Sequence, residues 1–164
     1  MNNVILIGMP GCGKSTLGVL LAKSLGMTFL DTDLVIQDRE HALLSQLIRT
    51  HGSDGFLALE ESICAQLDVN NSVIATGGSV VYSQAGMEAL KRNGDVVYLA
   101  ATYAEVEKRV TNITTRGIVL KHGCSLQDAF AERVPLYEQY SDYTVDGTGK
   151  SIEECVEEIV GLFR

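Results

Sequence analysis

The chain lacks a basic surplus. Against 21 aspartates and glutamates it sets 13 lysines and arginines, for a formal net charge of −8. Nucleic-acid binders carry the reverse balance, so a nucleic-acid partner is not expected. Its few arginines are then worth following singly, as candidates for anionic ligands. No apolar run approaches the length of a membrane span, so no membrane partner is expected. Met1-Asn2-Asn3 runs directly into an apolar stretch, without a basic start or a cleavage-type site, so no leader is expected. The four cysteines, Cys12, Cys64, Cys124 and Cys155, are dispersed and have no metal-ligand spacing. That pattern suits a reduced, cytoplasmic setting. Linkers, repeats and low-complexity stretches are also missing. With 164 residues, 46% of them hydrophobic, the chain reads as one domain with a sizeable core.

What is present is a phosphate-loop pattern. Gly8-Met9-Pro10-Gly11-Cys12-Gly13-Lys14-Ser15-Thr16 satisfies G-x-x-x-x-G-K-[ST]. Glycines let the backbone wrap a phosphate with its N–H groups pointing inward. Lys14 can then reach the β- and γ-phosphates, and the Ser15 hydroxyl can ligate Mg²⁺. Cys12 fits the loop by its small size. The pattern needs a strand before it and a helix after it, and both are readable. Val4-Ile5-Leu6-Ile7 suits a buried strand, and Leu17 to Leu25 is an apolar helix stopped at Gly26. Lys14 is expected to face solvent and to matter little for folding.

Further along, Met27-Thr28-Phe29-Leu30 reads as a second strand closing on Asp31-Thr32-Asp33. Carboxylates at i and i+2 on a strand's end point the same way, toward the ligand-binding edge of an open sheet. One could support Mg²⁺ and the other accept a substrate proton. The alternative is a helix N-cap by Asp33 with Asp31 as a solvated neighbour. Leu34 to Leu67 is helical in character and interrupted at Gly52, with Glu60 and Glu61 in its second half, read as core or solvated face. Ser72 to Thr76 is a third strand, followed by Gly77-Gly78-Ser79, which is either a place of close ligand approach or an ordinary tight turn. Helices are expected over Ala85–Leu90, Tyr103–Val110, Leu126–Tyr140 and Ile152–Phe163, and strands over Val96–Leu99 and Tyr143–Asp146. Between them, Thr111 to Gly123 lacks periodicity and carries Arg116, Lys121 and His122. It reads as a lid or as a plain connection, with His122 solvated. Strands alternating with helices give a parallel α/β sheet.

This constellation resembles the shikimate kinase family nearly end to end. The likeness rests on the phosphate loop, Leu30-Asp31-Thr32-Asp33, Gly77-Gly78, Val97-Tyr98-Leu99 and Arg133-Val134-Pro135-Leu136-Tyr137. It implies a P-loop NTPase three-layer sandwich with five strands in order 2-3-1-4-5. It also implies substrate-binding helices over about 33–68 and a lid over about 111–124. The implied reaction moves the γ-phosphoryl of ATP to a hydroxyl of shikimate, with Mg²⁺, in a cytoplasmic monomer. By position, Gly11, Cys12, Gly13, Lys14, Ser15 and Thr16 would hold ATP, with Ser15 and Asp31 serving the metal. Asp33 would be the base and contact the accepting hydroxyl. Gly77, Gly78 and Arg133 would bind the substrate, Arg109 would lie beside the adenine, and Arg116 would be the lid arginine.

Three positions depart from the family pattern, all on the acceptor side or the lid. Leu57 stands where an arginine usually precedes the family's glutamate, Ser79 replaces a third glycine, and Arg116-Gly117-Ile118-Val119 replaces Arg-Pro-Leu-Leu. An arginine–carboxylate contact is worth roughly 1.5–3 kcal/mol, so its loss either weakens shikimate binding or signals another polyol or sugar acid. A nucleotide-binding protein that has lost transfer is the third reading.

Overall fold

The computed structural model describes residues 2–110 and 118–164. Among these, five strands form one parallel sheet: β1 (Asn3–Ile7), β2 (Thr28–Asp31), β3 (Ser72–Ala75), β4 (Gly94–Ala100) and β5 (Tyr143–Asp146), in spatial order β2-β3-β1-β4-β5. The helices are α1 (Lys14–Leu25), α2 (Thr32–Glu40), α3 (Leu44–Gln66), α4 (Gln84–Lys91), α5 (Tyr103–Arg109), α6 (Leu126–Tyr140) and α7 (Ile152–Phe163), with a short 3-10 turn at Val80–Tyr82.

The period-2 geometry of the strands divides the core. Ile5 and Ile7 of β1 join Ile74, Val96 and Tyr98 in a cluster under α3, α4 and α6. Val4 and Leu6 face the other way, with Val73, Val97 and Leu99, against α1 and α7. Every residue of β1 is buried, which is why its sequence is a continuous apolar run and not an alternating one. Gly18 lets α1 lie close on the sheet, because a Cβ there would come within 2.6 Å of the Phe29 ring.

β1 and β2 run parallel and end on the same C-terminal side of the sheet, and that side carries the site. β1 hands directly into the glycine-rich loop, whose Gly13 holds a left-handed conformation (φ 92°) as N-cap of α1. β2 hands into α2 through Asp31, which caps that helix by accepting a hydrogen bond from the Asp33 backbone N–H at 2.9 Å. The cap is thus Asp31 and not Asp33, since Asp31 still holds extended backbone while Asp33 is already helical. β2 also sits one residue later than expected, because Asp31 pairs in register with Ala75 of β3. α3 is one long helix with a break at Gly52 (φ 70°), as its sequence implies, and a third apolar cluster binds its two halves to α2.

Candidate active site

At the sheet's C-terminal edge lies a cavity of about 300 Å³. The phosphate loop forms one wall, through Gly11, Gly13, Lys14, Ser15 and Thr16. A second wall comprises Asp33, Glu60, Gly77, Gly78 and Arg133. Of the candidates, Gly11, Gly13 to Thr16, Asp33, Gly77, Gly78 and Arg133 share this space, Cys12 and Arg109 border a separate small cavity, and Asp31 reaches the loop through Ser15. Ile118 and Val119, just after the undescribed stretch, also border it. Arg116 and Gly117 lie outside the described residues, as does the first half of the expected lid, 111–117.

Lys14 does not face solvent. It is 8% exposed, and its ammonium donates to the carbonyls of Gly8 at 2.8 Å and Met9 at 2.9 Å, with Cys12 Sγ at 3.7 Å. The loop turns those carbonyls inward, so the cation's own donors tie the loop together. Ser15 donates its hydroxyl hydrogen to Asp31 Oδ2 at 2.7 Å. Asp31 thus caps α2 with one oxygen and reaches the loop with the other. Both expected metal-side groups are adjacent oxygen donors, the hard chemistry that suits Mg²⁺. Arg109, exposed at the end of α5, reaches back to the Gly11 carbonyl at 3.5 Å.

Asp33 has its carboxyl pushed up to about 6, mainly by burial and then by the Asp31 charge, with Lys14 opposing. Arg133 is 2% exposed. Its Nε donates to the Tyr82 hydroxyl at 3.3 Å, its Nη2 donates to the Val119 carbonyl, and its guanidinium lies 5.2 Å from the Tyr82 ring centre. The remaining nitrogen, Nη1, lies 3.2 Å from where a Cβ on Gly78 would sit. Gly77 and Gly78 are places of close approach: a Cβ on Gly77 would meet the Asp33 and Glu60 carboxyls, and one on Gly78 would meet Pro10 at 2.7 Å. Tyr137, four residues after Arg133 and therefore on the same face of α6, donates its hydroxyl to the Gly78 carbonyl and stacks on Tyr98 at 5.1 Å.

Glu60 is the residue the sequence reading passed over. It is 1% exposed, and burial pushes its carboxyl up to about 7, the Ser79 hydrogen bond opposing. A signal was available: Phe56, Glu60 and Ile63 fall at i, i+4 and i+7, so Glu60 occupies the apolar stripe of α3. Tyr82 was missed as well, and nothing in its local sequence marks it. Leu57 is half-buried, one turn before Glu60. His122 is exposed, and Lys121 pairs with Glu132 of α6 at 2.9 Å.

Comparison with known proteins agrees with this geometry. The shikimate kinase of Clostridium botulinum (strain Eklund 17B / Type B) is 37% identical over 161 residues, spanning 96% of this chain and 94% of the relative. A solved structure, shikimate kinase from Acinetobacter baumannii in complex with shikimate, superposes with a TM-score of 0.91 at 29% identity, covering 99% of this chain and 93% of that one. A gluconokinase from Sinorhizobium meliloti 1021, at TM-score 0.61 and 16% identity over 98% of this chain and 90% of its own, shares the fold alone. The family model described as shikimate kinase matches residues 10–163, from the second half of the phosphate loop to the last turn of α7. On that match and that identity, the chain belongs to the shikimate kinase family.

Proposed function

We infer that this protein transfers the γ-phosphoryl group of ATP to a hydroxyl of shikimate, giving shikimate 3-phosphate and ADP. The observation that carries the reading is that the phosphate loop, Asp33 and the buried Arg133 line one cavity. A substrate bearing both a carboxylate and a hydroxyl engages the last two together. Arg133 grips the carboxylate through its inward-facing nitrogen, with Tyr82 and the Val119 carbonyl fixing its plane. Gly77 and Gly78 line the way, and Asp33 meets the hydroxyl.

In the reaction, the acceptor oxygen attacks the γ-phosphorus as the bond to the β,γ-bridging oxygen breaks and ADP departs. Asp33 takes the hydroxyl proton; a carboxyl raised toward neutrality is a better match for this work than an ordinary aspartate. Backbone N–H groups of Gly11, Cys12 and Gly13, with Lys14 and Thr16, hold the phosphates, and Lys14 exchanges its loop carbonyls for phosphate oxygens. Arg116 serves the transferring phosphoryl and Arg109 lies by the adenine. Ser15 and Asp31 would hold Mg²⁺, which supplies charge neutralisation on the phosphate oxygens. Use of ATP fits a cytoplasmic protein, and a site furnished by one chain fits a monomer.

A coupled ADP-release assay over a panel of hydroxy acids and polyols tests the reading. Shikimate should give the highest kcat/KM by at least tenfold. A polyol or sugar acid ahead of it, or no acceptor-dependent turnover at all, would overturn the assignment.

A further inference from the structure

Glu60 is held in an uncommon way. Its Oε1 accepts a hydrogen bond from the Ser79 hydroxyl at 2.8 Å, and Ser79 is itself buried. Its Oε2 is buried and has no hydrogen-bond partner among the described residues. Buried polar atoms in folded proteins are nearly always paired, so an orphaned carboxyl oxygen in a cavity wall calls for a ligand. The nearby cations are engaged elsewhere: the Lys14 ammonium by the loop carbonyls, and Arg133 Nε and Nη2 by Tyr82 and Val119. Leu57, one turn earlier on α3, offers no donor.

The free oxygen has a neighbour. A single point over Gly77, the place of a notional Cβ, lies 2.6 Å from Glu60 Oε2 and 2.9 Å from Asp33 Oδ1. The two carboxyl oxygens therefore lie no more than about 5.5 Å apart beside Gly77, each able to take a hydroxyl. Groups so arranged suit hydroxyls on adjacent carbons.

We propose that Ser79 and Glu60 act as a pair that reads the acceptor, Ser79 positioning the carboxyl and Glu60 Oε2 binding the hydroxyl next to the one that Asp33 engages. The ligand class is a vicinal diol, and the inference rests on the kinase reading above. Loss of the Ser79 hydroxyl frees the carboxyl to rotate, and the second hydroxyl is no longer distinguished. The raised carboxyl serves in either form, since the ionised group accepts from the hydroxyl and the protonated group donates to it.

The test compares KM and kcat for shikimate and for an analogue with hydrogen in place of the hydroxyl beside the phosphorylated one. Wild type should favour shikimate by about tenfold or more, the range for a hydrogen bond to a charged group. In Ser79→Ala the preference should fall below about threefold, through a higher shikimate KM with a smaller change in kcat, and Ser79→Thr should restore it. Glu60→Met, close to the same volume and without a donor or a strong acceptor, should lose the preference too, and it decides the matter if Ser79→Ala fails to fold. A preference retained in Glu60→Met, or losses equal for the two acceptors, overturns the inference. Normal shikimate turnover with no preference in wild type sinks this inference alone, whereas absent turnover removes the kinase reading and this inference with it.

Discussion

The two walls of the cavity are built on different principles. The nucleotide wall comes from one contiguous stretch, Gly8 to Thr16, and works largely through backbone groups whose direction a left-handed glycine dictates. The acceptor wall is assembled from α3, the turn after β3 and α6, and works through side chains. A contiguous backbone device must be kept whole, while a dispersed side-chain device can exchange parts. All three departures from the family pattern lie outside the nucleotide wall, and Ser79 supplying the hydrogen bond to Glu60 is such an exchange.

Breaking the nucleotide wall should have the largest effect. Lys14→Ala should abolish phosphoryl transfer, measured by ADP release. Because the ammonium bonds two loop carbonyls, the variant should also lose about 1.5–3 kcal/mol of stability, a fall of roughly 3–10 °C in Tm. An unaltered Tm would mean that those bonds add nothing to the fold.

Asp33→Asn comes next. A positioned base contributes about 10²–10⁴-fold, so kcat should drop by that order while nucleotide affinity, read by calorimetry, changes little. Equal losses in both would shift Asp33 from proton transfer to metal or nucleotide binding.

Leu57→Arg sharpens the comparison from the acceptor side. A guanidinium one turn before Glu60 adds a partner for a substrate carboxylate and should lower the shikimate KM by roughly tenfold. The gain is mostly uniform binding, so kcat should rise less, and the ATP KM should stay put. A polyol acceptor would gain nothing.

The smallest effect concerns stability. Glu60 has a folded-state value of about 7 against an ordinary 4.5. The folded protein therefore holds this proton more tightly than the unfolded chain, and wild type loses stability as pH rises from about 4.5 through about 7. Burial is the main cause; Ser79, Arg133 and Lys14 oppose it, and Asp33 adds to it. Glutamine does not titrate, so the stability of Glu60→Gln relative to wild type should increase across that window and level off above it. A difference of roughly 1–3 kcal/mol between pH 5 and pH 8 is expected in urea unfolding.

The same contrast governs how much the sequence discloses. The bounds of α6, α7 and β5 were readable to the residue, whereas the sheet order entered through family likeness. The nucleotide wall was readable as a motif, apart from the side chain of Lys14, whose partners are carbonyls that no sequence pattern displays. On the acceptor wall, the glycine pair read equally as a place of close ligand approach or a tight turn, and Arg133 entered only through family likeness. Glu60 read as core or solvated face, because its burial is produced by a turn arriving from β3. Tyr82, from the 3-10 turn, acts on Arg133 across 51 positions of chain.

One link joins the two walls. Tyr137 binds the Gly78 carbonyl and stacks on Tyr98 of β4, the strand beside β1, while the same face of α6 delivers Arg133. The clamp for the acceptor and the strand that launches the phosphate loop are thereby braced by a stiff aromatic strut. The turn at Gly78, the strand β4 and the helix that carries Arg133 are therefore held as one unit, so a change at Tyr137 or Tyr98 would be felt at the cavity wall without touching any lining charge.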